Sequence, residues 1–417
     1  MKKLYKAILL AFLAVFICCK KNIENSDKQY AEKFSLYNNS SNSIDYILLK
    51  DLENEKRNLS QLVKKLEYIP LETDTASIVG SLFFPPRDFE FFEEDIFVKN
   101  ALGRMCRFDD KGKFLNFIGD IGRGPGEYVN PWACTVFKTE NTVQVALLAD
   151  VLRKILIYDI NGNFLYDIPI NYGPLAMDHS YGHFFLVTPM GNRSDTKYNV
   201  FSTMSLHGDL KESFFYKGNE KGRDMTPNSV FDTYVQNDTL SFWERGYDTI
   251  WRVTDNLKLS PKYIVGYDTS IETSNMKNKK NVSTMTSSIS NSNRIANIVE
   301  TSSIIFLDAI KKNRFNTFIY EKKTRGISKI QYDRLSEKGF HFALNNDIDG
   351  GLPFWPVGKI SDNKVFMTTY GYKVKEFLEK NTTGDYDPEA REKLWELVKD
   401  AKMTDNIILV VATLKDD

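Results

Sequence analysis

The hydrophobic pattern of this chain becomes regular at about residue 66, where short aromatic and β-branched runs begin to alternate with polar turns. That alternation is typical of an all-β domain. Residues 107–115 (RFDDKGKFL) recur as residues 157–165 (IYDINGNFL), with weaker copies at 204–210 and 253–257. The turn positions 112, 162, 208 and 256 lie 50, 46 and 48 residues apart. A hairpin repeated at this interval indicates one four-stranded propeller blade per repeat.

Two more blades fit after residue 295, so the repeats predict six blades. The early run 66–71 and the late run 407–412 are predicted to pair, because joining the two ends of the chain removes the open edges of the ring. The fold class expected is therefore all-β, a six-bladed β-propeller.

Two segments interrupt the repeats. Residues 270–293 are almost entirely polar and predict an irregular loop. Residues 373–403 predict a small helical insertion in the last blade, with Asp387 as the cap and Pro388 in the first turn. Its apolar stripe, formed by Leu394, Leu397 and Val398, is predicted to pack on that blade.

The N-terminus has the pattern of a bacterial export signal. Three lysines precede the apolar run 7–17, which is too short to cross a bilayer as a permanent helix. The run ends at two cysteines, which predicts lipidation at Cys19, with Cys18 as the alternative. A lipid anchor would hold the protein on the outer membrane of the cell envelope, facing either the periplasm or the cell surface. The predicted organisation is a signal peptide at 1–18, a lipidated cysteine and polar tether at 19–60, and the propeller at 61–417.

Charge and cysteine content narrow the classes of partner. Lys plus Arg and Asp plus Glu number 55 each, and the absence of a basic tract indicates no nucleic-acid partner. The acidic residues of segment 90–95 alternate with aromatic ones and are interpreted as a solvated strand edge. Cys106 and Cys134 lack a zinc-type spacing and are interpreted as small buried hydrophobic residues rather than a disulfide. No motif predicts a cofactor or a metal centre.

Two longer motifs resemble a known group of proteins. Residues 118–128 and 346–356 are similar to motifs of bacterial six-bladed β-propeller lipoproteins related to NHL-repeat propellers. Residues 68–73 and 406–409 also resemble the end strands of that family, and the resemblance covers residues 60–415. It implies a propeller fold and export, and it assigns no activity to individual residues.

The first motif contains a glycine-rich segment, residues 122–128 (GRGPGEY). A phosphate-binding loop needs a helix after its glycines, and here Pro125 and further extended residues predict none. The segment is interpreted as a tight loop between two blades. It would place Arg123 and Glu127 at one rim of the channel, for the stability of the loop or for contact with a ligand.

The second motif begins like a calcium loop, with Asn345, Asp347 and Asp349 at alternate positions. Pro356 stands where an EF-hand needs a bidentate glutamate, which excludes an EF-hand but leaves open a looser site completed by carbonyl oxygens. The alternative is that these side chains cap strand ends as Asx turns. Further on, Trp355 could stack on a ligand.

Metal and nucleophile motifs are scarce. His179 and His183 are four residues apart, but they flank a predicted turn rather than lie on a helix, so they do not predict a zinc site. The chain has four histidines and no G-x-S-x-G segment. Catalysis is therefore less expected than binding.

The function predicted is that of a ligand-binding or protein-interaction module, because propeller loops surround a central funnel. Hydrogen bonding and aromatic stacking at that funnel would suit a sugar or a peptide. The alternative is a metal-dependent propeller enzyme of the lactonase or lyase type. The candidate ligand-binding residues are Arg123, Glu127, Asp347, Asp349 and Trp355.

Overall fold

The structure is a computed structural model. It describes residues 44–49, 52–75, 77–80, 88–140, 142–171, 173–187, 197–217, 231–236, 239–244, 249–257, 259–266, 293–311, 314–330 and 343–415. The predicted signal peptide, the lipidated cysteine, the tether up to residue 43 and the polar segment up to residue 292 lie outside the described residues.

Most of the described residues lie in β-strands that form six blades around a central channel, as predicted. Three strands come first in the chain and join the outer edges of later blades: β1 (Asp45–Leu48), β2 (Asn54–Glu55) and β3 (Val63–Pro70). Blade I follows, with its strands in order from the channel outwards: β4 (Phe89–Phe92), β5 (Asp95–Lys99), β6 (Met105–Asp109) and β7 (Phe114–Ile118).

A short parallel pair, β8 (Asp120–Ile121) and β9 (Glu127–Tyr128), lies in the connection to blade II. Blade II comprises β10 (Ala133–Lys138), β11 (Val143–Ala149), β12 (Lys154–Asp159) and β13 (Phe164–Pro169). Blade III comprises β14 (Ala176–Ser180), β15 (His183–Val187), β16 (Lys197–Ser205) and β17 (Leu210–Lys217).

Blade IV comprises β18 (Phe231–Gln236), β19 (Thr239–Glu244), β20 (Thr249–Val253) and β21 (Leu259–Gly266). Blade V comprises β22 (Asn293–Glu300), β23 (Ile304–Lys311), β24 (Arg314–Glu321) and β25 (Gly326–Ile330). Blade VI combines β26 (Gly358–Ser361), β27 (Lys364–Tyr370) and β28 (Ile407–Leu414) with β3 from the start of the domain.

The ring closes where the two ends of the chain meet in blade VI. The C-terminal strand β28 pairs antiparallel with β3, with Val410 opposite Tyr68 and Ala412 opposite Leu66. This confirms the predicted pairing of the terminal runs. The outermost strand of the last blade is thus supplied by the beginning of the domain, which pairs the otherwise open edge of β28.

The segment before residue 61 takes part in two blades, although the sequence placed it in the tether. Strand β1 adds a parallel fifth strand to β21 of blade IV, and β2 does the same beside β25 of blade V. Ile47 and Leu49 are fully buried there and pack with Trp243 and Tyr263. Burial of these apolar side chains stabilises strand β1, and the folded domain therefore begins before residue 61.

The hydrophobic core lies between the blades. Six clusters of buried side chains fill the six interfaces of adjacent blades, including the one between blades VI and I. Each strand therefore alternates between side chains that face the preceding blade and side chains that face the following one. Cys106 is buried in this core and Cys134 is partly buried, and both are free thiols, as predicted.

The recurrent turn lies between the third and fourth strands of a blade. The Asp109 and Asp159 carboxylates each accept two backbone N–H groups of their own turn. Gly162 has a φ of +87°, and a Cβ there would lie 2.1 Å from the carbonyl oxygen of Phe117 in the preceding blade. Glycine is thus required both by the backbone conformation and by the close approach of the neighbouring blade. In blade IV the residue with positive φ is Leu257, one position after the predicted 256.

The helical insertion of blade VI consists of two helices, α1 (Gly371–Lys380) and α2 (Pro388–Val398). The Asp387 carboxylate caps α2 by accepting the N–H of Glu389 at 2.9 Å. Leu394 and Val398 are buried, whereas Leu397 is 44% exposed, so the predicted stripe packs on the blade only in part. Among the described residues, no helix is long and apolar enough to cross a membrane.

The alternation of strand direction defines two faces of the propeller. Turns between the first and second strands and between the third and fourth strands lie on one face, here named the lower face. Turns between the second and third strands, and the connections from one blade to the next, lie on the upper face. The helices α1 and α2 join β27 to β28, the second and third strands of blade VI, and therefore belong to the upper face.

Candidate functional site

A cavity of about 70 Å³ opens in the channel near the upper face. It is lined by the beginnings of the innermost strands of blades I to IV, because each of these strands starts at the upper face. The lining comprises Phe89 and Glu90, residues 132–134, residues 175–178, and Thr233. A cavity of this volume has room for several water molecules or one small functional group. Trp132, 40% exposed, stands at its edge.

Glu90 is the central acidic group of this cavity. Its Oε1 accepts the backbone N–H of Val136 at 3.2 Å and lies 3.4 Å from the hydroxyl of Thr135. Burial raises the pKa of Glu90 to about 8, and the negative charge of Asp178 contributes to the rise. The side chain is therefore mostly protonated at neutral pH.

The interpretation of segment 90–95 as a solvated strand edge is wrong for Glu90, because β4 is the innermost strand of its blade.

Cys134 also lines the cavity, but its thiol is not activated. Burial raises the pKa of this thiol well above its ordinary value, and the charge of Glu90 acts in the same direction. A nucleophilic cysteine needs the opposite shift, which a neighbouring cation or a helix N-terminus provides. The arrangement suits binding better than covalent chemistry.

His179 follows Asp178 in β14 and stacks on Phe137, with ring centroids 4.7 Å apart. Burial lowers the pKa of His179 to about 4, with a smaller contribution from His183, so the ring is neutral. The Nδ1 of His183 lies 2.7 Å from the carbonyl oxygen of Tyr181 in the turn between them. Within the described ranges, no three His, Cys, Asp or Glu side chains lie close enough together to share a metal ion.

The lower part of the channel is bridged by a basic side chain. Lys359 in β26 donates hydrogen bonds to Gln236 in β18 at 2.6 Å and to Asp362 at 3.1 Å. Since blade V separates the blades that carry Lys359 and Gln236, the first of these bonds crosses the channel. Behind it, the buried carboxylate of Glu300 binds Lys262 at 2.8 Å and Lys322 at 2.7 Å. These contacts fix blades IV to VI to one another in the lower part of the channel.

The loop that carries Arg123 and Glu127 lies on the upper face between blades I and II. Arg123 is exposed there. Glu127 turns back into its own loop, where Oε2 accepts the N–H of Gly124 at 2.8 Å, and a Cβ on Gly122 would lie 1.9 Å from the same oxygen. The next residue, Tyr128, is fully buried, and its hydroxyl donates to one backbone carbonyl at 2.7 Å and accepts one backbone N–H at 3.0 Å. Most of this motif therefore stabilises the connection between the blades.

Asp347 and Asp349 also bind parts of the protein itself. Asp347 accepts the backbone N–H of Ser60 at 2.9 Å and the Ser60 hydroxyl at 2.5 Å. Asp349 is 4% exposed, and its Oδ1 accepts hydrogen bonds from three donors. Burial raises the pKa of Asp349, although these hydrogen bonds oppose the rise. Asp347 thus binds the segment that leads into β3, and Asp349 binds β3 and its own loop; only the bond from the Gly351 N–H to Asp349 has the Asx-turn form considered as the alternative in the sequence.

Trp355 is half-buried between blades V and VI. Its Nε1 donates to Asp308 Oδ1 at 2.7 Å, and its ring meets Phe306 edge-on with centroids 5.4 Å apart. The five predicted site residues thus lie in separate places rather than in one cluster: the loop between blades I and II, the buried segment around Asp349, and this position. None of the five lines the cavity.

The residues that line the cavity were not found by motif. Glu90, Cys134, Asp178 and Thr233 share only a position, near the beginning of the first strand of a blade. The signal that could have found them is the repeat itself, because aligning the blades places these residues at equivalent points of the channel wall.

Comparison with known proteins finds a family model and solved structures that are similar to this chain. The family described as "Domain of unknown function (DUF4934)" matches residues 25–413. A candidate exported protein of Bacteroides fragilis NCTC 9343 is 17% identical, with a TM-score of 0.64 over 89% of this chain and 100% of that chain. A DUF4221 family member from Bacteroides vulgatus is 14% identical, with a TM-score of 0.42 over 85% and 97% of the two chains. Comparison with curated proteins gives no match.

Proposed function

This chain belongs to the DUF4934 family, and on that premise we propose that its propeller is a ligand-binding module of the cell envelope. The ligand, a sugar or a peptide, binds at the upper mouth of the channel. The observation that carries the proposal is the cavity of about 70 Å³ lined by the innermost strands of four blades. Rigid strands supply the polar groups of this site, which is the usual way in which a fold holds a binding site in shape.

The side chains at the mouth fit such a ligand. Trp132 exposes 40% of its surface beside the cavity, and an exposed aromatic ring can stack on a sugar ring or on an apolar side chain. Glu90 and Asp178 provide hydrogen-bonding groups on the channel wall. Two further exposed apolar residues, Leu102 and Val151, lie in upper-face turns of blades I and II. Exposed apolar residues on one face are a common feature of recognition surfaces.

Anchoring by lipid at Cys19 would present this mouth away from the membrane. Strand β1 runs parallel to β21, which leads from the lower face to the upper face, so β1 begins at the lower face. Asp45 at its start pairs with Arg325 in a lower-face turn at 3.1 Å. The predicted tether therefore joins the propeller on the face opposite to the cavity.

The proposal is tested by screening the purified protein on glycan and peptide arrays, followed by Trp132→Ala. Loss of a well-packed aromatic anchor costs about 2 kcal/mol, so the affinity for a ligand found in the screen should fall by about thirtyfold. Tyr181→Ala is the matched control, because Tyr181 is also 40% exposed but lies in a lower-face turn.

Two results would count against the proposal. The first is an equal loss of affinity in the two variants, which would indicate a general effect on the protein. The second is a ligand whose binding withstands Trp132→Ala and is lost on substitution of the lower face, which would place the site at the other end of the channel.

A further inference from the structure

The upper cavity has the size and polarity for one particular functional group. We infer, resting on the proposed function, that the ligand is anchored by a primary ammonium group that enters this cavity, donates to Glu90 and carries an apolar stem along Trp132. Lysine side chains, peptide N-termini and amino sugars share the primary ammonium group, and of these three the lysine side chain also has the apolar stem.

The volume limits what the cavity can accept. About 70 Å³ is enough for an ammonium group with the first carbon of its stem, and too little for a whole sugar ring or an aromatic side chain. The rest of a larger ligand must lie outside the cavity, where Trp132 stands. Phe89 and Met177 on the wall offer apolar contacts to the stem.

Glu90 has an acceptor that faces the cavity. Its hydrogen bonds within the described part of the chain, to the Thr135 hydroxyl and the Val136 N–H, both involve Oε1. Its Oε2 makes no hydrogen bond to any described residue, and both donors to Oε1 are neutral. A carboxyl group on a cavity wall, with one oxygen that accepts no hydrogen bond from the described residues, can accept a hydrogen bond from a ligand.

The charges around Glu90 favour a cation over a neutral donor. Among the described residues, the charge of Asp178 from β14 acts on Glu90, and Glu90 acts on the thiol of Cys134 from β10; neither group is cationic. The remaining wall, with Phe89, Trp132 and Thr233, carries no charge. An ammonium group would form charge-assisted hydrogen bonds with the ionised Glu90, which are stronger than neutral ones.

Binding of an ammonium group should therefore release a proton. Glu90, whose pKa is about 8, is mostly protonated below that pH and must ionise to pair with the cation. Affinity should rise about tenfold per pH unit up to about pH 8. It should level off above that value and fall again above about pH 10, where a primary amine loses its own charge.

The experiment is a calorimetric titration of the purified protein with n-butylammonium chloride between pH 6 and pH 9. Tetramethylammonium and 1-butanol serve as comparison probes, the first too bulky for the cavity and the second without charge. Glu90→Gln keeps the shape of the side chain and removes its charge, so n-butylammonium binding at pH 9 should weaken at least about tenfold. Glu94→Gln is the matched control, because Glu94 is exposed in a lower-face turn of the same blade.

The inference is supported if n-butylammonium alone binds, with the expected rise in affinity with pH, and if Glu90→Gln alone weakens it. Equal binding of 1-butanol, or unchanged affinity in Glu90→Gln, would overturn it. A circular dichroism spectrum and a melting curve of each variant exclude misfolding. If an array ligand depends on Trp132 but not on Glu90, the proposed function stands and the ammonium inference fails. If binding of the array ligand depends on neither Trp132 nor Glu90, the proposed function fails as well.

Discussion

Asp349 allows the structural role of a predicted site residue to be measured. Its Oδ1 accepts the hydroxyl of Tyr68 at 3.1 Å, the side-chain amide of Asn346 at 2.7 Å and the N–H of Gly351 at 2.9 Å. Asp349→Ala would leave these buried donors without their acceptor, at about 1–3 kcal/mol for each unsatisfied group. Asn346 retains a second acceptor, the carbonyl of Leu352 at 3.3 Å. We therefore expect a loss of about 3 kcal/mol in the free energy of unfolding.

Asp349→Asn should behave differently, because its amide oxygen can replace Oδ1 for all three donors. Its cost at pH 7 should stay within about 1 kcal/mol, since a buried carboxylate is removed at the same time. Burial raises the pKa of Asp349 in the folded protein, so the native state holds this proton more tightly than the unfolded chain does. The stabilisation from that proton is complete below the unfolded pKa of about 3.9 and is lost as the pH rises through the folded value. The asparagine variant should therefore gain stability relative to the wild type as the pH rises above about 4.

The assay is urea unfolding of the wild type and the two variants, monitored by tryptophan fluorescence, together with binding of an array ligand at pH 7. Both variants should keep the wild-type affinity, because Asp349 does not line the cavity. The structural role would be refuted if Asp349→Ala cost less than about 0.5 kcal/mol, the level of an ordinary surface substitution. A loss of binding in Asp349→Asn at unchanged stability would instead return Asp349 to the ligand site.

Three further predictions concern the loop between blades I and II, the anchor and the closure of the ring. Tyr128→Phe should lower the free energy of unfolding by about 2 kcal/mol in urea titration, because two buried backbone groups lose their partner; an unchanged midpoint would contradict this. Alanine at both Cys18 and Cys19 should release the protein from membranes in detergent partitioning, since a lipid chain contributes about 0.8 kcal/mol per buried methylene; unchanged partitioning would disprove the anchor. Deletion of residues 405–417 removes β28 and should cause aggregation in size-exclusion chromatography, whereas a stable monomer would show that β28 does not close the ring.

The fold could be predicted from the sequence because each blade depends on short-range interactions, and the same turn residues recur from blade to blade. The turn with Asp159 and Gly162 needs a carboxylate for its own N–H groups and a residue that tolerates positive φ, and both requirements are visible in the sequence. The pairing of the two terminal strands, in which Tyr68 lies opposite Val410, could be predicted because it covers an open edge of each strand. Strand β1 was missed, since a parallel edge strand has no turn that connects it to its partner.

The candidate site could not be predicted in the same way. Motif reasoning favours residues whose side chains are unusual in their local sequence, which is why it selected Glu127 and Asp349. Such residues also build tight loops, and the structure shows that both do so. The cavity depends instead on residues from four blades, such as Glu90 and Asp178, that are ordinary in their own strands and meet only when the ring closes.

The most direct test of a ligand site at the upper mouth is a crystal structure of the protein soaked with 4-bromobenzylamine at pH 9. Anomalous scattering locates the bromine without ambiguity. We predict a bromine peak beside Trp132 at the upper face, with the nitrogen inside the cavity and within hydrogen-bonding distance of Glu90. An empty cavity would contradict the ammonium inference, and a bromine peak confined to the lower face or to the region of Asp349 would contradict the proposed site.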